Sequence, residues 1–123
     1  MTDDPFDRRE LTTEELRERL AAAEAAVIDE GRPDAIEAQH DAGKLTARER
    51  VDYLCDEGSV REFGALAAPA PTTPETQDWE REDAPADGVI AGLGDVDGRP
   101  VAIIATDFTV KGGSIGHTGG RKM

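Results

Sequence analysis

The sequence predicts an α/β protein in which N-terminal helices lead into a β-hairpin, and three observations carry that expectation. Thr12 with Glu15, and Thr46 with Glu49, are T-x-x-E capping boxes. In each, the hydroxyl accepts from the amide three residues on, and the carboxylate accepts from the cap's own amide. Val89 to Val96 and Arg99 to Thr106 are β-rich runs separated by Asp97-Gly98, a pair suited to the positive φ angles of a two-residue hairpin turn. Beyond the second run, Gly112-Gly113-Ser114-Ile115-Gly116 is a glycine cluster where backbone can approach a ligand closely.

Residues Met1 to Glu10 are polar and expected to fray. The first capping box opens an amphipathic helix from Thr13 to Glu30, with Leu16, Leu20, Ala23 and Val27 on one stripe, Gly31 as C-cap and Pro33 beyond it. The stripe should pack on its own domain or on a neighbouring subunit. A second helix begins near Pro33, a residue suited to a first turn, and ends at Gly43. His40 lies in it beside Gln39 and Asp41 and reads as a solvated residue. The second capping box opens a third helix from Ala47 to about Cys55, ending near Gly58, with Val51, Leu54 and Cys55 facing inward. Arg48 and Arg50 read as ordinary surface charges, worth under about 1 kcal/mol each, with pairing to distant acids as the alternative. Val60 to Gly64 is a short strand expected to join the sheet.

Three segments follow from this pass: a helical segment with a short strand over 1–64, a Pro/Ala-rich acidic loop over 65–86, and a hairpin with its glycine turn over 87–123. The middle segment holds Pro69, Pro71, Pro74 and Pro85, four of the chain's seven prolines, and is not expected to form regular structure. Its Trp79, the only tryptophan, either anchors the loop or contacts a partner or ligand. The second strand is apolar at consecutive positions from Val101 to Ala105, which predicts cover on both faces. That demands more covering mass than 123 residues readily provide.

Composition narrows the function. A domain of this size buries about two-thirds of its unfolded surface, and 37% apolar and 4% aromatic residues are thin for that task. A formal charge of −13 disfavours nucleic acid and anionic lipid, whose sequence-independent affinity comes from Lys and Arg on phosphates. Eleven Arg against three Lys, beside abundant Asp and Glu, reads as salt adaptation. No apolar run approaches bilayer length and the first ten residues are acidic, so a cytoplasmic location is expected. Cys55 stands alone, excludes an internal disulfide and reads as a buried inert thiol. His40 and His117 are the only histidines; no metal-ligand spacing is present and no metal is expected.

Phe108 to Met123 contains Lys111, Arg121 and Lys122 and no acid. Basic side chains, exposed backbone N–H groups and a helix start together favour a phosphate-bearing anion. The alternative is that the glycines only permit a tight strand-to-helix turn. Ser114 has no histidine partner in a recognisable motif, does not match G-x-S-x-G, and reads as a helix N-cap.

Two blocks carry a family resemblance. One is Gly43-Lys44-Leu45-Thr46-Ala47-Arg48-Glu49-Arg50-Val51-Asp52-Tyr53-Leu54, with Asp56, Gly58-Ser59 and Glu62. The other is Asp87-Gly88-Val89-Ile90, Gly92, Gly94, Asp97-Gly98-Arg99-Pro100-Val101, Asp107-Phe108-Thr109-Val110 and Gly112-Gly113-Ser114-Ile115-Gly116. In order and spacing they resemble the biotin-dependent acyl-CoA carboxylase carboxyltransferases, the β-subunit type that includes propionyl-CoA carboxylase. The resemblance implies a ClpP/crotonase-like fold, of which this chain holds the N-terminal helices and the first hairpin. It implies transfer of a carboxyl group from carboxybiotin, a co-substrate borne on a separate carrier protein, to the α-carbon of an acyl-CoA such as propionyl-CoA or acetyl-CoA. It also implies two oxyanion holes of paired backbone N–H groups that stabilise the enolates. The glycine pairs that supply them lie beyond the position matched by Met123, so no catalytic residue is carried over. Lys111, Gly112, Gly113, Ser114 and Lys122 are the implied acyl-CoA-facing turn. Implied partners are acyl-CoA, the biotin carboxylase and biotin carboxyl carrier subunits, and the remainder of the carboxyltransferase, in a homo-oligomer; alone, the chain should be inactive.

The chain departs from the family where Gly116 to Lys122 replaces a more helix-prone stretch, Gly119 and Gly120 each costing a helix roughly 1 kcal/mol against Ala. Other readings are a non-catalytic assembly module of such a complex and a subunit of a biotin-dependent decarboxylase. A biotin carrier is suggested only by Lys122-Met123, and Gly120-Arg121 stand where the carrier motif has other residues.

Overall fold

The computed structural model describes residues 10–69 and 84–123; Trp79 and most of the proline-rich segment lie outside them. Helices α1 (Thr13–Val27), α2 (Pro33–Asp41) and α3 (Ala47–Leu54) precede strands β1 (Arg61–Phe63), β2 (Val89–Val96) and β3 (Arg99–Thr106), and a short helix α4 (His117–Lys122) closes the chain. Both capping boxes form, Glu15 N donating to Thr12 Oγ1 at 3.2 Å and Glu49 N to Thr46 Oγ1 at 3.0 Å. Two helix starts are thus fixed by local side chains.

The end of α1 departs from expectation. It stops at Val27, Ile28 turns extended with ψ 160, and Asp29–Gly31 forms a separate 3-10 turn. Gly31 is therefore no C-cap. The chain doubles back so tightly that a Cβ on Gly31 would stand 1.9 Å from the carbonyl oxygen of Ala25. The α1 stripe is not covered either: Leu16 and Leu20 are exposed and no residue of the helix is buried.

The three strands form one antiparallel sheet in the order β1-β2-β3, so the short strand of the first segment shares a sheet with the hairpin. Asp97 and Gly98 adopt φ of 51 and 76, the left-handed pair that a two-residue turn demands. The turn is also held from outside, because the Asp56 carboxylate accepts from both Asp97 N and Gly98 N at 2.9 and 2.8 Å.

Pairing puts Ile90, Ile103 and Val101 on one face, where Ile90 and Ile103 pack with Ala47, Val51 and Cys55 of the α3 region. Cys55 is a buried free thiol. Leu54, expected inside, is exposed, because only Val51 and Cys55 of that trio turn toward the sheet. The larger correction concerns β3. Ile103 is 8% exposed but its neighbour Ile104 is 54% exposed, so among the described residues only the Ile103 face of the strand is covered here. Strand geometry sends consecutive side chains to opposite faces, and α3 supplies a single layer.

Arg48 is not an ordinary surface charge. Its guanidinium donates to both carboxylate oxygens of Glu62 at 2.6 and 3.1 Å, and its Nε donates to Val27 O at 3.1 Å. It thereby ties the end of α1 and the start of α3 to β1. Burial works against its charge, but the hydrogen bonds and charge of Glu62 outweigh that and raise its pKa. His40 is exposed as expected and meets Glu49 Oε1 at 2.5 Å, a bond that holds Glu49 below the usual carboxylate range. Among the described residues no helix is long and apolar enough to cross a membrane.

Candidate functional site

The glycine turn is built by the ends of β2 and β3. Ahead of β2, Pro85–Gly88 forms a 3-10 turn at the close of the stretch expected to be irregular, with Ala86, Asp87 and Gly88 all in the left-handed region at φ 54, 48 and 68. All four residues are buried. Non-glycine residues adopt that conformation only when their surroundings impose it. Here the imposition is visible: Asp107 N donates to Gly88 O at 2.8 Å, and Val110 packs over Gly88.

At the end of β3, Asp107 anchors the next turn. Its carboxylate accepts from Thr109 N and Thr109 Oγ1 at 2.9 and 2.6 Å, and from Arg32 at 3.0 Å. Arg32, which opens α2, also donates to Thr109 Oγ1. Burial opposes ionisation of Asp107, yet the Thr109 and Arg32 hydrogen bonds and the Arg32 charge hold its pKa below the usual carboxylate range. A second tie comes from Lys44, whose ammonium sits 4.4 Å from the centre of the Phe108 ring. The helical segment therefore grips the base of the glycine turn at two points.

The turn itself is Lys111–Gly113, with Lys111, Gly112 and Gly113 at φ 47, 65 and 81. Lys111, Gly112 and Ser114 are exposed. Gly113 N donates to Val110 O at 3.0 Å and Ser114 N to Lys111 O at 3.2 Å. Those two amides are committed within the turn.

Ser114 is not the N-cap of α4. Gly116 occupies that position, and the capping oxygen comes from a distance: Asp87 Oδ2 accepts from Gly119 N at 2.7 Å. At the other end of the helix Lys122 Nζ donates to the carbonyl oxygens of Ala86 and Val89. Burial lowers the Lys122 pKa, with Arg48 acting in the same direction against Glu62 and Asp87. Both ends of α4 are thus latched to the left-handed turn. Of the five residues expected to face a ligand, Lys111, Gly112, Gly113 and Ser114 come together, while the Lys122 amine is held by those carbonyls. Gly119 admits this latch, since a Cβ there would lie 2.8 Å from Asp87 O and Val89 Cγ2. Asp87 and Asp107 fall within the residues that carried the resemblance, but their partners Gly119 and Arg32, 32 and 75 residues away, leave no mark in local sequence.

Comparison with known proteins bears on what this arrangement serves. The model of the carboxyl transferase domain family matches residues 38–123. The propionyl-CoA carboxylase carboxyltransferase subunit of Haloferax mediterranei is 41% identical over 115 residues, covering 92% of this chain and 21% of that protein. A single-chain, multi-domain long-chain acyl-CoA carboxylase superposes with a TM-score of 0.78 at 33% identity, over 89% of this chain and 12% of that one. The transcarboxylase 12S hexamer, solved with hydrolysed methylmalonyl-coenzyme A, gives 0.70 at 38% identity, over 94% of this chain and 22% of that one. The chain spans about a fifth of the length of the curated relatives it matches.

Proposed function

Because the chain belongs to the carboxyl transferase domain family, we propose that it forms the N-terminal part of the carboxyltransferase subunit of a biotin-dependent acyl-CoA carboxylase. In that role it works in the cytoplasm on carboxybiotin presented by a carrier subunit and on an acyl-CoA such as propionyl-CoA. The observation that carries this reading is the family match over residues 38–123, together with a fold shared at 33–38% identity with two acyl-CoA-handling enzymes. The part played by these residues is positional. The helices and the Arg32–Asp107 clasp fix the turn at the end of β3, and Lys111 offers its ammonium to a coenzyme A phosphate. The oxyanion donors are supplied by the rest of the domain.

The test is a chimera in which these 123 residues replace the matching fifth of the H. mediterranei subunit, assayed with its biotinylated partner and propionyl-CoA. Carboxylation by the chimera is expected, and Lys111→Ala should raise KM for propionyl-CoA more than it lowers kcat. A folded, assembled chimera that transfers no carboxyl group would overturn the reading in favour of a non-catalytic assembly module.

A further inference from the structure

Lys111 to Ile115 hang between two anchors. Among the described residues their backbone hydrogen bonds stay within the turn, Gly113 N donating to Val110 O and Ser114 N to Lys111 O. The place of the turn in space is therefore set where it joins the rest of the chain. On the N-terminal side that point is Asp107, held by Arg32 and Thr109. On the C-terminal side it is Asp87. This side chain is buried and its Oδ2 accepts from Gly119 N at 2.7 Å. Gly116 lies so close that a Cβ there would stand 2.8 Å from Asp87 Cγ and nearer still to both carboxylate oxygens. The next residue, Gly88, packs under the same segment, where a Cβ would meet Val110 at 3.2 Å and Ser114 O at 3.8 Å.

Asp87 holds this place against its backbone preference. At φ 48 it is a non-glycine residue in the left-handed region, where glycine is accommodated without steric penalty. A buried outlier of this kind is a pointer to function. What glycine could not supply is the carboxylate that seats Gly116 and Gly119. Resting on the carboxyltransferase reading above, we propose that Asp87 is a positioning residue for acyl-CoA: without touching the substrate, its carboxylate fixes the C-terminal flank of the turn that carries Lys111.

The experiment uses the chimera described above and measures KM and kcat for propionyl-CoA, its Kd by calorimetry, and the urea midpoint. Asp87→Gly keeps the left-handed backbone and removes the carboxylate, and should raise KM and Kd about tenfold while kcat stays within about twofold. Asp87→Asn retains an acceptor oxygen and tolerates the left-handed region, and should restore both constants to near the unsubstituted values. Gly116→Ala should weaken binding as Asp87→Gly does. Combining the two should add little, because removing the carboxylate makes room for the new methyl group. Gly120→Ala, whose Cβ would make ordinary contact with Ile115, should leave Kd unchanged. A merely structural role predicts losses that track the urea midpoint and add in the double variant. If Asp87→Gly does not fold, Gly116→Ala alone decides. Unchanged Kd in the folded variants, additive losses, or a fall in kcat at constant KM would each overturn the proposal. Weaker binding by the variants of a chimera that carboxylates nothing would overturn the activity and leave the positioning role intact. A chimera that binds no propionyl-CoA would overturn both.

Discussion

Asp107 shows how much one carboxylate holds together, since helix α2, strand β3 and the turn that follows all meet on its two oxygens. Its pKa is depressed in the folded chain, so its contribution is present above the unfolded value of about 3.9 and is lost as pH falls through the lower folded value. Asp107→Asn should therefore reduce stability by roughly 1–3 kcal/mol near neutral pH. Urea midpoints measured against pH should show that difference shrinking below about pH 4 and vanishing once the native carboxylate is protonated. Arg48 makes a second case. Removing it alone strands Glu62 in a largely buried site, and Arg48→Met should cost about 2–4 kcal/mol; the double variant Arg48→Met with Glu62→Leu should recover most of that loss. A double variant no better than the single one would show that the tie to Val27 O, rather than the ion pair, is what matters.

Helix α4 sets two adjacent glycines against each other. Gly119 is buried against Asp87 and Val89, whereas a Cβ on Gly120 would make ordinary contact with Ile115 at 3.6 Å. Gly119→Ala should destabilise the chain and disrupt the latch on the left-handed turn. Gly120→Ala should stabilise it by up to about 1 kcal/mol, the helix-propensity difference. Thermal denaturation of the two single variants checks both signs; equal effects would mean that α4 is not docked as described. The same contrast explains what the residues from Gly116 to Lys122 conceal. Glycine content argues against a helix there, but the Asp87 carboxylate, Lys122 and close backbone approach hold one in place.

For the whole molecule, adjacent isoleucines on β3 report which face is covered. Ile103→Ala should cost about 2–4 kcal/mol through lost burial and a cavity beside Val51 and Cys55. Ile104→Ala should cost well under about 1 kcal/mol in the isolated chain, since its side chain is half exposed there. Urea titration separates the two. A large loss for Ile104→Ala would mean that the outer face is already covered. Much of this architecture was legible from sequence: the capping boxes, the Asp97-Gly98 turn and the bounds of both long strands are written in neighbouring residues. The candidate turn was legible only in part. The glycine turn falls at Lys111–Gly113 as its residues suggest, but the N-cap at Gly116 rather than Ser114, the commitment of the Gly113 and Ser114 amides and the capture of Lys122 depend on folding.

Sequence alone determined where the first three helices and the two long strands begin and which family the chain resembles, because capping and turn chemistry act over three or four residues and the motif residues stand in fixed order. Tertiary structure decided the rest: where α1 stops, which isoleucine is covered, and which carboxylate caps α4. Each of those depends on two segments remote in the chain meeting in space, as Arg48 meets Val27, α3 meets Ile103, and Asp87 meets Gly119. Local residue order does not encode such meetings, because excluded volume and buried hydrogen bonding act only once the sheet has assembled.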